Sequence, residues 1–199
     1  KRFGGDRDFD GMWAIWDEEF LQFYALQMSQ MQQPFITTVF TASSHHPYKV
    51  PERYQDIYKD EPGDNNVMHK CIRYVDNALR LFFDTAKQQP WYSNTVFVIT
   101  ADHTNRSSRK EYETDLGVFS VPIIIYDPSG NIKPARRHCI AQQIDIMPTI
   151  LNHVGYGKPY VAFGTDLLNT PDSATWAVNH TNGIYQYVKG DYVLQFTDG

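Results

Sequence analysis

Apolar positions along the chain change their spacing several times, and each change marks an element. Trp13, Trp16, Phe20, Phe23 and Tyr24 recur at helical spacing behind Asp10, which is placed to cap a first helix. Pro34 ends that pattern. PFITTVFTAS, residues 34–43, is rich in β-branched and aromatic side chains and predicts a strand. A polar loop with Pro47, Pro51, Pro62 and Gly63 follows, and Asp64 is the next candidate cap. After it Val67, Cys71, Tyr74, Val75, Ala78 and Phe82 line one helical face, predicting a helix to about Gln88. Pro90 marks its exit. NTVFVITA, residues 94–101, is almost continuously apolar, as strands buried on both faces are.

Strand, helix and strand in this order predict a βαβ unit with its two strands parallel in one sheet. VFSVPIIIYD, residues 118–127, predicts a further strand, with Pro122 suited to an edge or a strand start. Asp145 begins a short helix with Met147, Ile150, Leu151 and Val154 on one face, Pro148 in its first turn and Gly155 just past its end. The tail reads as an antiparallel meander over 174–180, 184–190 and 192–196, turning at Asn182-Gly183 and Gly190. The expected fold is α/β, a mostly parallel sheet flanked by helices over residues 1–170, with a C-terminal antiparallel β-meander over 171–199.

Composition narrows the function classes. The 199 residues are 42% hydrophobic and 15% aromatic, which is globular, and they suffice for a single domain with a real core. A net charge of −5 without a basic run argues against nucleic acid as a partner. No apolar stretch approaches the roughly 18 residues of a membrane span. Cys71 and Cys139 form no metal-binding or redox pair and are expected to be buried thiols. The chain opens without Met and without the apolar centre of a signal peptide, which is the pattern of a processed product or a fragment.

Candidate chemistry gathers at two predicted strand ends. The first strand runs into Ser43-Ser44-His45-His46-Pro47, and the second into Asp102-His103-Thr104. Ligands bind beyond the carboxyl ends of strands in open α/β sheets, and a βαβ unit points both ends the same way. Asp102 offers a hard carboxylate oxygen and His103 an imidazole nitrogen, a pair suited to Zn²⁺, Mn²⁺ or a similar ion. A loop-capping Asp beside an ordinary turn His is the competing reading. His45 and His46 are candidates to bind an anion or to protonate a leaving group, against a solvated pair ahead of Pro47. Arg106, Arg109 and Lys110 either attract a phosphate or sulfate group or solvate a loop. His69, His138, His153 and His180 are expected to be structural, and Asp145 to be a cap. No GxSxG elbow and no glycine-rich phosphate cradle occurs.

Six blocks in order then carry a resemblance: SSHHPY (43–48), YVDNALRLFF (74–83), NTVFVITADHT (94–104), VPIIIYDP (121–128), QIDIMPTIL (143–151) and FGTDLL (163–168). From about residue 11 the chain resembles the C-terminal half of a sulfatase-type domain of the alkaline-phosphatase-like superfamily. Within it the similarity is nearest to lipoteichoic-acid-synthase-type phosphoglycerol transferases. The resemblance implies that Asp102 and His103 are the late pair of metal ligands, for Mn²⁺ above all, with Ca²⁺, Mg²⁺ or Zn²⁺ as alternatives. It implies that His45 contacts the phosphate group or assists the leaving group, with His46 at the variable position beside it. The family's early acidic ligand and its nucleophile, Thr or formylglycine, belong to an N-terminal half that these 199 residues do not contain.

The implied enzyme is a metal-dependent phosphoglycerol or phosphoethanolamine transferase or phosphodiesterase, acting on a phosphodiester. A sulfatase taking a sulfate ester and a non-catalytic α/β binding module are the alternatives. The missing half of the domain is an implied partner, and the isolated chain is expected to be inactive. The parent is expected outside the cytoplasm, held at the membrane only through an absent N-terminal region. Thr104 stands where many members carry Gly.

Overall fold

The computed structural model describes residues 6–64, 66–105 and 107–197, and these form two compact units. One unit comprises residues 6–96 with the short segments 107–108 and 127–131; the other comprises 97–105, 109–126 and 132–197.

The first unit is a pair of packed helices, α1 (Asp17–Met28) and α2 (His69–Ala86). Asp17, Leu21, Ala25 and Met28 are the buried positions of α1, and Cys71, Tyr74, Ala78, Phe82 and Ala86 those of α2. Both sets keep helical spacing, and alanines at the contact let the two backbones approach. Tyr24 stacks on Phe82, and the fully buried Trp91 donates its indole N–H to Ser29 Oγ at 2.9 Å. Val50, Cys71 and Tyr74 form a smaller cluster packed with Trp16, Tyr48, Tyr54 and Tyr58.

Both expected caps serve turns instead of helices. Asp10 Oδ1 accepts from the N–H groups of Met12, Trp13 and Ala14, closing a turn, and α1 starts only at Asp17. Asp64 Oδ1 accepts from Asn66 N–H and its other oxygen meets His69 Nδ1 at 2.6 Å, so α2 starts at His69. Short polar side chains bond equally well to a local turn, and local sequence does not separate the two outcomes.

The second unit holds two antiparallel sheets. β1 (Phe97–Thr100) pairs with β2 (Ile123–Tyr126), Phe97 opposite Tyr126 and Thr100 opposite Ile123. The meander is present as expected: β3 (Ala177–Thr181), β4 (Ile184–Lys189) and β5 (Tyr192–Thr197), in that order. Asn182 and Gly183 both take positive φ, 51° and 77°, which the tight turn between β3 and β4 demands. α3 (Ile146–His153) follows a 3₁₀ turn over Gln143–Asp145, and Gly155 exits it at φ 71°. Its buried residues are Pro148 and Thr149, whereas Met147 and Val154 are exposed, so the expected apolar face is displaced.

Two expectations are corrected. Among the described residues the ladders are antiparallel, and residues 34–43 join none of them, so the parallel βαβ unit is not formed. Residues 35–41 still alternate half-buried and exposed like a strand, with Ile36 92% and Phe40 74% exposed. β-propensity marks a segment that fits a pleated surface; it does not choose the partner. Cys71 is buried as expected, but Cys139 is half-buried, because the exposed run from Lys133 to His138 leaves little to cover it.

Candidate functional site

Asp102 and His103 follow directly from β1, where the backbone leaves the ladder and both side chains are free to turn outward. They remain open to solvent, with side chains 55% and 65% exposed. Asp102 Oδ1 accepts from the N–H of His103 at 2.9 Å, leaving Oδ2 available. His103 Nδ1 lies 2.7 Å from the carbonyl oxygen of Thr104. A carbonyl only accepts, so Nδ1 carries a proton and the neutral ring presents Nε2 as its free lone pair. Nε2 and Oδ2 are 3.4 Å apart. Two donors each about 2.1 Å from one ion, at about the tetrahedral angle, stand at that separation. The pair therefore fits a divalent metal as half of a ligand set. Among the described residues no group of three or more His, Cys, Asp or Glu side chains could hold one.

The turn carrying these donors is braced within its own unit. Gln143 Nε2 donates to the carbonyl oxygens of Ala101 (3.1 Å) and Asp102 (3.0 Å), and Thr104 Oγ1 donates to Val118 O. Behind Gln143, Asp145 does more than cap. Its Oδ2 accepts from Gln142 N–H and its Oδ1 from Thr165 N–H at 2.6 Å, while Thr149 Oγ1 accepts from Leu167 N–H at 2.8 Å. Gly164 permits this approach: a Cβ there would sit 2.3 Å from Ile144 O. The blocks QIDIMPTIL and FGTDLL are thus one bonded piece that presents Gln143.

His45 and His46 occupy a turn of the helical unit and line a small cavity with Asp10, Trp13, Trp16 and Lys49. His45 Nδ1 lies 3.0 Å from His46 O, which fixes a proton on Nδ1 and leaves Nε2 as the free nitrogen of the neutral ring. The same carbonyl accepts the Trp13 indole N–H at 2.8 Å, and Trp13 meets the His45 ring edge-on at 4.9 Å. His46 packs edge-on against Tyr48. Lys49 and Asp10 bring one charge of each sign to the cavity lining.

The other titratable candidates have local roles. Arg109 pairs with Glu111, Lys110 is exposed, and Arg106 lies outside the described residues. His69 is held by Asp64, and His180 packs on Tyr185.

The sulfatase family's sequence profile matches residues 3–156, most of the chain. The chain belongs to the sulfatase family. Lipoteichoic acid synthase 1 of Bacillus subtilis is 29% identical over 187 residues, covering 86% of this chain and 29% of that protein. The lipoteichoic acid synthase of Staphylococcus aureus strain USA300 is 28% identical, covering 96% and 34%. A Vibrio parahaemolyticus crystal structure of a protein in the alkaline phosphatase superfamily superposes with a TM-score of 0.79 at 28% identity. It covers 96% of this chain, which in turn covers 46% of it. The chain thus spans about a third of the length of the two synthases. This sulfatase-family chain is an α/β fragment of the alkaline-phosphatase type, as expected from its six blocks.

Sequence reasoning missed four residues that shape the two sites: Trp13, Asp17, Lys49 and Gln143. Trp13, placed by its spacing on the first helix, lies before α1, and its indole N–H points to the histidine turn. Nothing in the sequence around Gln143 distinguishes it from Gln142; only the folded register does.

Proposed function

We propose that these 199 residues are the C-terminal part of a larger sulfatase-like catalytic domain. Its enzyme is a metal-dependent phosphoglycerol or phosphoethanolamine transferase or phosphodiesterase, acting on lipid or glycan phosphodiesters. The observation that carries this reading is the Asp102–His103 pair: Nδ1 committed to Thr104 O, Nε2 and Oδ2 a shared-ion distance apart, in a chain similar to lipoteichoic acid synthases. A divalent ion bound there, Mn²⁺ foremost, would supply Lewis-acid stabilisation of charge on a phosphoryl oxygen. Asp102 and His103 would hold that ion as two of its ligands. His45, whose Nε2 is left free, is the candidate to contact the phosphate group or protonate its leaving oxygen, with Lys49 lining the same small cavity. The nucleophile and the remaining ligands belong to the missing half of the domain, so the isolated chain is inactive. The parent acts outside the cytoplasm and is membrane-anchored through a segment not among these residues; no helix described here is long and apolar enough to cross a membrane.

Hydrolysis of sulfate esters is the second reading, favoured by the family profile itself. Calorimetry of the full-length protein with Mn²⁺ and with Zn²⁺ tests the metal site. Binding is expected in the wild type and lost in Asp102→Ala/His103→Ala; equal binding by both proteins would sink the assignment. Turnover of bis(4-nitrophenyl) phosphate against 4-nitrophenyl sulfate then separates transferase from sulfatase chemistry. Retained function after loss of either Asp102 or His45 would instead favour a binding module.

A further inference from the structure

Asp17 is the first residue of α1, only 2% exposed, and no described basic side chain pairs with it. An acidic residue in a helix's first turn ordinarily serves its own helix. This one does not: α1 has no side-chain cap, and both Asp17 oxygens face a loop some 26 positions ahead. Oδ1 accepts from the N–H of Ala42 at 2.9 Å and of Ser43 at 3.2 Å, and Oδ2 accepts from Ser43 N–H at 3.3 Å. Ser43 Oγ accepts the Asp17 N–H at 3.0 Å in return. Four contacts thus fasten the start of one helix to two consecutive loop residues.

That loop leads directly into the candidate histidines. Ala42, whose N–H is held by Asp17, uses its carbonyl to accept His45 N–H at 3.0 Å, closing the turn that carries both rings. On the far side of the turn Trp13, four residues before Asp17, donates to His46 O, the oxygen that also orients His45 Nδ1. The entry to α1 therefore holds the turn at both ends. Burying a carboxyl group with no cationic partner is costly, and desolvation accordingly pushes its pKa up. Two backbone N–H groups from a loop are an expensive reason to keep it unless their position matters.

We propose that Asp17 is a positioning residue that fixes the His45 ring for its work on the phosphate group. This rests on the role given to His45 above. Asp17 touches no reacting atom; it acts through Ala42, Ser43 and the turn they begin.

The test is a double-mutant cycle in the full-length protein, read as kcat and KM for bis(4-nitrophenyl) phosphate, with metal affinity measured alongside. Asp17→Ala is expected to lower kcat/KM by about 10- to 100-fold, as a misplaced catalytic group does. On an His45→Ala background the same change should cost less than about threefold, since a residue acting through His45 has nothing left to position. Asp17→Asn keeps Oδ1 for both N–H groups and should restore kcat/KM to within about threefold of the wild type. If Asp17→Ala does not fold, Asp17→Glu replaces it: the charge stays, the acceptors shift by one methylene, and the same non-additivity is expected. Equal losses on both backgrounds would overturn the proposal, as would Asp17→Asn behaving like Asp17→Ala. A wild type without metal-dependent turnover would instead remove the proposed function itself, and an active His45→Ala variant would remove the role of His45. These outcomes are distinguishable from a failure of Asp17.

Discussion

Single residues in this chain act mainly by holding backbone in place for others. Gln143 is the plainest case, with one amide nitrogen bridging the consecutive carbonyls of Ala101 and Asp102. Gln143→Ala should weaken Mn²⁺ binding by the full-length protein by about 10- to 100-fold, the usual cost of losing a group that orients ligands, and calorimetry would read it. Gln143→Glu, the same shape without a donor, should be no better. Cys71 shows the opposite kind of residue, one withdrawn from chemistry: burial pushes its thiol up to about 11. At pH near 8, thiol alkylation should therefore label Cys139 first, and mass spectrometry of the tryptic peptides would show it. The raised value has a stability sign as well. The unfolded thiol ionises from about 8.5 upward while the folded one holds its proton, so stability falls as pH climbs from there toward about 11. Little at this scale was legible in advance. Asp102, His103, His45 and His46 stood out by type, but Asp17 and Gln143 are ordinary residues made useful by partners 25 and 41 positions or more away.

Elements were read best where their cause is local. Asn182-Gly183 demands positive φ, which only a tight hairpin satisfies, and β3, β4 and β5 lie within a few residues of where they were expected. α2 was legible for a similar reason, since its apolar stripe repeats over five turns. Partner choice was not legible. β1 pairs antiparallel with β2, and residues 34–43 stay extended without a ladder, because pairing is decided by tertiary context. α1 was misplaced at its start, since Asp10 and Asp17 are both acceptable first-turn residues and only the loop bonded to Asp17 distinguishes them. Glycines, too, gain meaning only from their neighbours. Gly164 lies against the backbone of Ile144, so Gly164→Ala should force the FGTDLL segment away from Asp145 and Thr149. The expected cost is about 1–3 kcal/mol, read as a lowered midpoint in urea, with weakened metal binding because Gln143, two residues before Asp145, would shift with it.

Both units leave apolar side chains open among the described residues. Besides Ile36 and Phe40, Val161, Phe163, Tyr192 and Leu194 are each more than half exposed, and every residue of β5 is exposed. In the order β3-β4-β5, the last strand is hydrogen-bonded on one side only among the described residues. Its free row of N–H and C=O groups will accept any extended chain of suitable length. Leu194→Lys should lower light scattering from the purified 199-residue chain while leaving the β3–β4 pairing intact, and unchanged scattering would clear β5 of the charge. The consequence reaches into how such a chain is handled. Identical copies compete for the same open edge, and that competition grows with their number. Raising expression to obtain more material would then yield a smaller native fraction, and slow synthesis at low copy number would recover more.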